Sequence, residues 1–139
     1  MRPINLVTII DDDEIVSFIE RKIIEQTNLV NQIKVFSHGQ EAIDFLKANS
    51  INADLLPEII LLDLNMPFMD GFQFLEEFIK LEPRLERKIT IYVVSSSVSP
   101  NDMNRIKSIS EVTDYIIKPI TKVLFEKIVR LLTENAFLK

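Results

Sequence analysis

The chain has 139 residues, 47% of them hydrophobic and 27% charged, and its 21 acids against 16 Lys and Arg leave a net charge of -5. With no cysteine it can form neither a disulfide framework nor a thiolate zinc site nor a cysteine nucleophile, and two glycines, Gly39 and Gly71, cannot spell a dinucleotide fingerprint or a Walker-type phosphate loop. The length suits one domain that buries roughly two-thirds of its unfolded surface; no run approaches the ~18 apolar residues of a membrane span, no signal-peptide pattern follows Met1-Arg2-Pro3, and the acid excess disfavours broad nucleic-acid binding, so a soluble cytoplasmic protein is expected.

The first element is an apolar run, Leu6–Ile10, which ends abruptly in Asp11-Asp12-Asp13-Glu14. Over Glu14–Gln26, Ile15, Ile19 and Ile23 recur every four residues with Val16 and Ile24 beside them, and this period predicts a helix. A second strand-length run, Ile33–Phe36, leads through the polar turn Ser37-His38-Gly39 into a helix over Gln40–Ala48, where Ala42, Phe45 and Leu46 share a face. The loop Asn49–Pro57 precedes the third strand, Ile59–Leu62. Asp63-Leu64-Asn65-Met66-Pro67 follows, and Asp70-Gly71 reads as a turn into a helix over Phe72–Leu81 that presents Phe72, Leu75 and Ile79. Pro83 stops that helix, because proline cannot continue the backbone ladder.

After the loop Glu82–Lys88, the run Ile89–Val94 gives a fourth strand that ends in Ser95-Ser96-Ser97. Ser99-Pro100 suits a helix start, with serine as N-cap and proline in the first turn. A fifth strand, Tyr115–Ile117, closes on Lys118-Pro119, and a helix over Thr121–Asn135 directs Leu124, Ile128, Leu131 and Leu132 inward. Five strands thus alternate with five helices. Such alternation gives a parallel sheet covered on both faces and joined by right-handed crossovers.

In an open parallel sheet, chemistry gathers at the carboxyl ends of the strands. The residues there are Asp11 and Asp12, Asp63, Ser95 and Lys118. If the first and third strands are neighbours, three carboxylates converge, and their mutual repulsion calls for a proton or a cation. Mg²⁺ fits: it prefers oxygen ligands, takes one or two carboxylates and keeps waters that a phosphoryl group can replace. Lys118 adds a mobile positive charge and Ser95 a hydroxyl donor. A carboxylate nucleophile, a metal and two donors are the components that phosphoryl transfer to an aspartate requires.

Ile9-Ile10-Asp11-Asp12-Asp13, Leu62-Asp63-Leu64-Asn65-Met66-Pro67 with Asp70-Gly71, Val94-Ser95-Ser96 and Tyr115-Ile116-Ile117-Lys118-Pro119 together resemble the receiver domain of bacterial two-component response regulators, from about Leu6 to Ile120. The resemblance implies a flavodoxin-like (βα)5 three-layer α/β sandwich with strand order 2-1-3-4-5. It implies that Asp63 is phosphorylated by a histidine kinase or phosphotransfer protein. It implies that Asp12 ligates Mg²⁺ directly, that Asp11 acts through metal-bound water and that the Asn65 backbone carbonyl is a further ligand. By the same resemblance Ser95 and Lys118 contact the phosphoryl group, Tyr115 is the aromatic switch, Ser97 lies where phosphate lifetime is tuned, and the Lys118-Pro119 bond matches one that is cis. One receiver domain over residues 1–139 without an output domain is expected. Its output would then be a protein contact of the fourth helix, fifth strand and fifth helix, made as a monomer or a phosphorylation-dependent dimer.

Competing readings stand beside these. Asp13 and Glu14 read as helix N-terminal acids favoured by the macrodipole, Ser96 and Ser97 as turn residues, and His38 as a surface residue. A receiver-shaped interaction module that is never phosphorylated would keep the fold and lose the chemistry. An aspartate-nucleophile phosphatase wants a second aspartate two positions after the nucleophile, where this chain has Asn65. A flavin carrier would meet a run of acids after the first strand, which repels phosphate.

Overall fold

Five apolar segments form strands in the computed structural model, which describes residues 2–135. They are β1 (Ile4–Ile10), β2 (Val30–Phe36), β3 (Ile59–Leu62), β4 (Thr90–Ser95) and β5 (Val112–Ile117). Met1 and residues 136–139, part of the single domain expected from the sequence, lie outside the described residues. All pairings are parallel, and the order is β2-β1-β3-β4-β5. The helices are α1 (Glu14–Gln26), α2 (Gly39–Ala48), α3 (Gly71–Leu81), α4 (Pro100–Lys107) and α5 (Lys122–Asn135). This is the flavodoxin-like three-layer α/β sandwich. No described helix is long and apolar enough to cross a membrane.

Strand alternation builds two cores. Val7, Ile9, Ile59, Leu61, Tyr92 and Val94 point to one face, where they meet Ile24 of α1 and Phe125, Ile128 and Val129 of α5. Ile10, Ile60, Leu62, Ile91 and Val93 point to the other, against α2, α3 and Ile106 of α4. β3, central and covered twice, is buried at all four positions, as its unbroken apolar run demands. The helix starts are fixed by side chains. Asp13 caps α1, Asp70 and Gln73 form a reciprocal capping box on α3, and Ser99 caps α4 with Pro100 in its first turn.

Several inward faces differ from the sequence reading. β2 has no fully buried residue, because it is an edge strand paired only with β1. In α1, Ile15 and Ile19 are exposed together with Phe18, while Ser17, Glu20 and Ile24 turn inward. Apolar residues cover more than one side of this helix, so their period leaves the rotation open; the Ser17 hydroxyl, donating to the Asp11 carbonyl at 3.4 Å, belongs to the inward side. In α3 the buried set is Phe74, Leu75, Phe78 and Leu81, with Ile79 39% exposed. Leu131 of α5 is likewise exposed, since Phe125, Ile128 and Val129 already fill the space under that helix.

The amino ends of the strands are closed by a buried carboxylate. Glu58 accepts from the Asn5 N–H at 2.7 Å and pairs with Arg2 at 2.7 Å and Arg87 at 3.4 Å. Burial alone would raise its pKa, but the Arg2 hydrogen bond, the Asn5 N–H and the two guanidinium charges outweigh burial and hold it below the usual range.

At the carboxyl ends, the start of α3 packs directly on backbone. The Gly71 N–H donates to the Leu64 carbonyl at 2.8 Å. A Cβ on Gly71 would lie 2.7 Å from the Asp63 carbonyl oxygen and 2.8 Å from the Leu64 Cα. Gly71 is therefore more than a turn residue; it allows α3 to rest on the segment that carries Asp63. Gly71→Ala should lower stability in urea unfolding by roughly 1–3 kcal/mol through overpacking, whereas unchanged stability would show that this backbone yields freely.

Candidate functional site

Asp11, Asp63 and Lys118 each follow the last pairing of their strand, and Ser95 is itself the last paired residue of β4. Ile10 pairs with both Phe36 and Leu62, and Ser95 pairs with Ile117. The next backbone bonds run from the Asp11 N–H to the Phe36 carbonyl, from the Asp63 N–H to the Ile10 carbonyl and from the Lys118 N–H to the Ser95 carbonyl, at 3.1, 2.9 and 2.9 Å. Asp11, Asp63 and Lys118 are thereby delivered to one edge of the sheet by the parallel ladder itself. The Lys118-Pro119 bond is cis.

One carboxylate oxygen from each of Asp11, Asp12 and Asp63 lies within 4.8 Å of the others. Lys118 Nζ donates to Asp11 Oδ2 at 2.8 Å and stands 3.3 Å from Asp63 Oδ1. Asp11 is fully engaged, because its Oδ1 also accepts from the Asp13 N–H at 2.9 Å. Asp12 is exposed, and among the described residues no hydrogen bond or ion pair occupies its carboxylate. Asp63 is only 6% exposed. Burial first, then the Asp11 charge, pushes its pKa up; Lys118 and the Asn65 N–H pull the other way without cancelling the rise. For Lys118, burial works against the ammonium, but the Asp11 hydrogen bond and the charges of Asp63 and Asp11 prevail and raise its pKa. Asn65 lies two residues beyond Asp63 in an exposed part of the loop.

These donors fit a hard divalent cation. Three acids and one ammonium leave the cluster acidic, and the Asp12 oxygens carry no protein partner to displace.

Ser95, the last residue of β4, and Tyr115 of β5 both bond to Ser97 in the β4–α4 loop. The Ser95 hydroxyl is fully buried and accepts from the Ser97 N–H at 3.1 Å. The Tyr115 ring packs inward with Ile106 and Val93, and its hydroxyl donates to the Ser97 carbonyl at 2.8 Å. Ser97 is therefore not a simple turn residue: its Oγ donates to Asp102 Oδ2 at 2.8 Å, which ties the loop to α4. His38 is half exposed beside Glu41. Asp13 serves as the α1 cap, accepting from the Ile15 and Val16 N–H groups.

Glu20 was not visible as a site residue in the sequence. It is 5% exposed, and its Oε2 is buried without a hydrogen-bond partner. Burial first, then the charges of Asp11 and Asp63 against that of Lys118, pushes its pKa up to about 7. The available signal was an acid on the inner side of α1, and the apolar period of that helix concealed which side is inner.

Comparison with known proteins gives a consistent result. The family described as "Response regulator receiver domain" matches residues 7–130. The probable methanogenesis regulatory protein FilR2 of Methanothrix harundinacea is 30% identical over 129 residues, 93% of this chain and 79% of that protein. The sensor histidine kinase CheAY of Helicobacter pylori is 31% identical over 115 residues, 82% of this chain but only 13% of the kinase. The probable C4-dicarboxylate response regulator DctR of Halalkalibacterium halodurans is 28% identical, and this chain spans 51% of its length. Among solved structures, a two-component response regulator from Cytophaga hutchinsonii superposes with a TM-score of 0.86 at 30% identity, covering 96% of this chain and 99% of that one.

A carboxyl whose pKa is raised on folding keeps its proton in the native state after the unfolded chain has lost it, so stability falls as pH rises from about 4.5 to about 7. In metal-free buffer, Glu20→Gln should therefore gain roughly 2 kcal/mol on the wild type between about pH 5 and about pH 8, read by urea unfolding. A difference that stays constant across this range would contradict the assignment.

Proposed function

The chain belongs to the response regulator receiver domain family, and from that premise we propose that it is a phosphoryl-controlled switch whose acceptor is Asp63. The observation that carries the reading is the Asp63 carboxylate itself, nearly buried, grouped with Asp11 and Asp12, and 3.3 Å from the Lys118 ammonium. The donor is a histidine kinase or histidine phosphotransfer protein. Support comes from the matching segment within a protein named as a sensor histidine kinase.

In the proposed step an Asp63 oxygen attacks the phosphorus of a phosphohistidine. The P–N bond breaks, its electron pair leaves with the imidazole, and an acyl phosphate remains on Asp63. A Mg²⁺ bound by Asp12, Asp63 and the Asn65 carbonyl, with Asp11 acting through a metal-bound water, would neutralise the carboxylates and the charge on the phosphoryl oxygens. Lys118 then gives its ammonium to a phosphoryl oxygen, and the Ser95 hydroxyl donates to another. Hydrolysis by water returns Asp63 and inorganic phosphate, so the domain controls its own phosphorylation rather than turning over an external substrate.

Phosphorylation shifts a balance between existing conformations only as far as the contacts differ between them. Ser95 of β4 and Tyr115 of β5 are joined through Ser97 of the loop between β4 and α4, and Ser97 is bonded to Asp102 of α4. A move of Ser95 toward the phosphate would thus be felt by Tyr115 and α4. The output surface in this reading is α4, β5 and α5, which contacts a downstream protein in the cytoplasm.

Incubation with acetyl phosphate and Mg²⁺ should add one hydroxylamine-sensitive phosphate per chain, and either Asp63→Asn or chelation of the metal should abolish it. A wild type that stays unmodified would instead support an interaction module that is never phosphorylated.

A further inference from the structure

A cavity of about 110 Å³ lies between α1 and the segment after β5, walled by Val16, Ile19, Ile23, Pro119 and Ile120, with Glu20 and Lys118 as its charged members. Glu20 is the anomaly in it. Its carboxyl is buried, and Oε2 has no partner. An unsatisfied buried acid costs free energy that a helix position so close to the core would ordinarily avoid by carrying an apolar residue. On the opposite wall, Lys118 directs its ammonium toward Asp11 Oδ2 and Asp63 Oδ1. An ammonium has three N–H donors, and these two acids are its hydrogen-bond and ion-pair partners among the described residues. Glu20 lies beyond ion-pairing distance from it in this arrangement, yet both groups line one space.

The two carboxylates that hold Lys118, those of Asp11 and Asp63, belong to the group able to hold a divalent cation. A metal ion and an ammonium cannot share them without repulsion, and the lysine, on its flexible four-carbon stem, is the partner free to move. We propose that Glu20 is a positioning residue: a second seat for the Lys118 ammonium, which swings across the cavity to it when a divalent cation binds among Asp11, Asp12 and Asp63. The seat lowers the cost of admitting the metal, because the displaced ammonium gains a carboxylate partner in place of the two it gives up. It also satisfies the orphan oxygen of Glu20. The inference rests on the reading that the acidic cluster holds Mg²⁺.

The test is a double-mutant cycle on Mg²⁺ affinity, measured by calorimetry on the full chain without any phosphodonor. Glu20→Gln should weaken Mg²⁺ binding about five- to tenfold, and Glu20→Leu, which leaves no orphan polar atom, should do the same. In a Lys118→Met background, where there is no ammonium to seat, adding Glu20→Gln should change affinity less than about twofold. The Lys118 side-chain ε-CH₂ resonance should shift on Mg²⁺ addition in the wild type and far less in Glu20→Gln. An equal loss in both backgrounds would show that Glu20 acts only as a through-space charge and would overturn the proposal, as would unchanged affinity in both Glu20 variants. A wild type that takes up no Mg²⁺ would overturn the metal reading and this inference together.

Discussion

Three carboxylates held within 4.8 Å of one another are the constraint on which the rest of the molecule depends. At the effective dielectric of a protein surface, two like charges at this distance repel by roughly 3 kcal/mol, less for the exposed Asp12, and the single ammonium of Lys118 offsets only part of the sum. Side chains free to separate would do so. The backbone prevents it: Asp11 and Asp63 each add one more bond to the parallel ladder, and the start of α3 rests on the Asp63–Leu64 backbone because Gly71 has no side chain. Helices packed on both faces of β3 make that edge of the sheet stiff. In the proposed function, a cation and a phosphoryl group would relieve this repulsion.

Two buried glutamates show how differently the ends of the sheet are built. Glu58 at the amino ends is held by two guanidinium groups and a backbone N–H, and its pKa falls below the ordinary carboxylate range despite burial. Glu20 near the carboxyl ends lies among other acids with one oxygen unpartnered, and its pKa rises to about 7. The first arrangement is a finished structural cluster that ties β1 to the segments before β3 and β4. The second is unfinished, as expected where charges must rearrange when a ligand enters.

The layout and most of the site were legible in the sequence because strands buried on both faces read as unbroken apolar runs that end sharply in polar residues. Asp11, Asp12, Asp63, Ser95 and Lys118 each mark such an end. Rotation of the helices was less legible. Ile15, Ile19, Ile79 and Leu131 carry apolar periodicity yet face solvent, because these helices have more apolar residues than the sheet has room to cover. Glu20 and Ser17 went unrecognised for the same reason: the inner side of α1 is chosen by what it meets, namely the Asp11 carbonyl and the Lys118 cavity, and neither is encoded in the helix period. The bonds from Ser97 to Asp102 and from Tyr115 to Ser97 also depend on loop geometry between residues distant in the chain.

The central claim is that, of the three converging carboxylates, Asp63 is the one that carries a phosphoryl group. Borohydride reduction of the acyl phosphate converts the modified aspartate to homoserine, and peptide mass spectrometry then locates it. After phosphorylation with acetyl phosphate and Mg²⁺, the conversion should fall on residue 63 alone. Conversion at residue 11 or 12, or at none of the three, would contradict the claim.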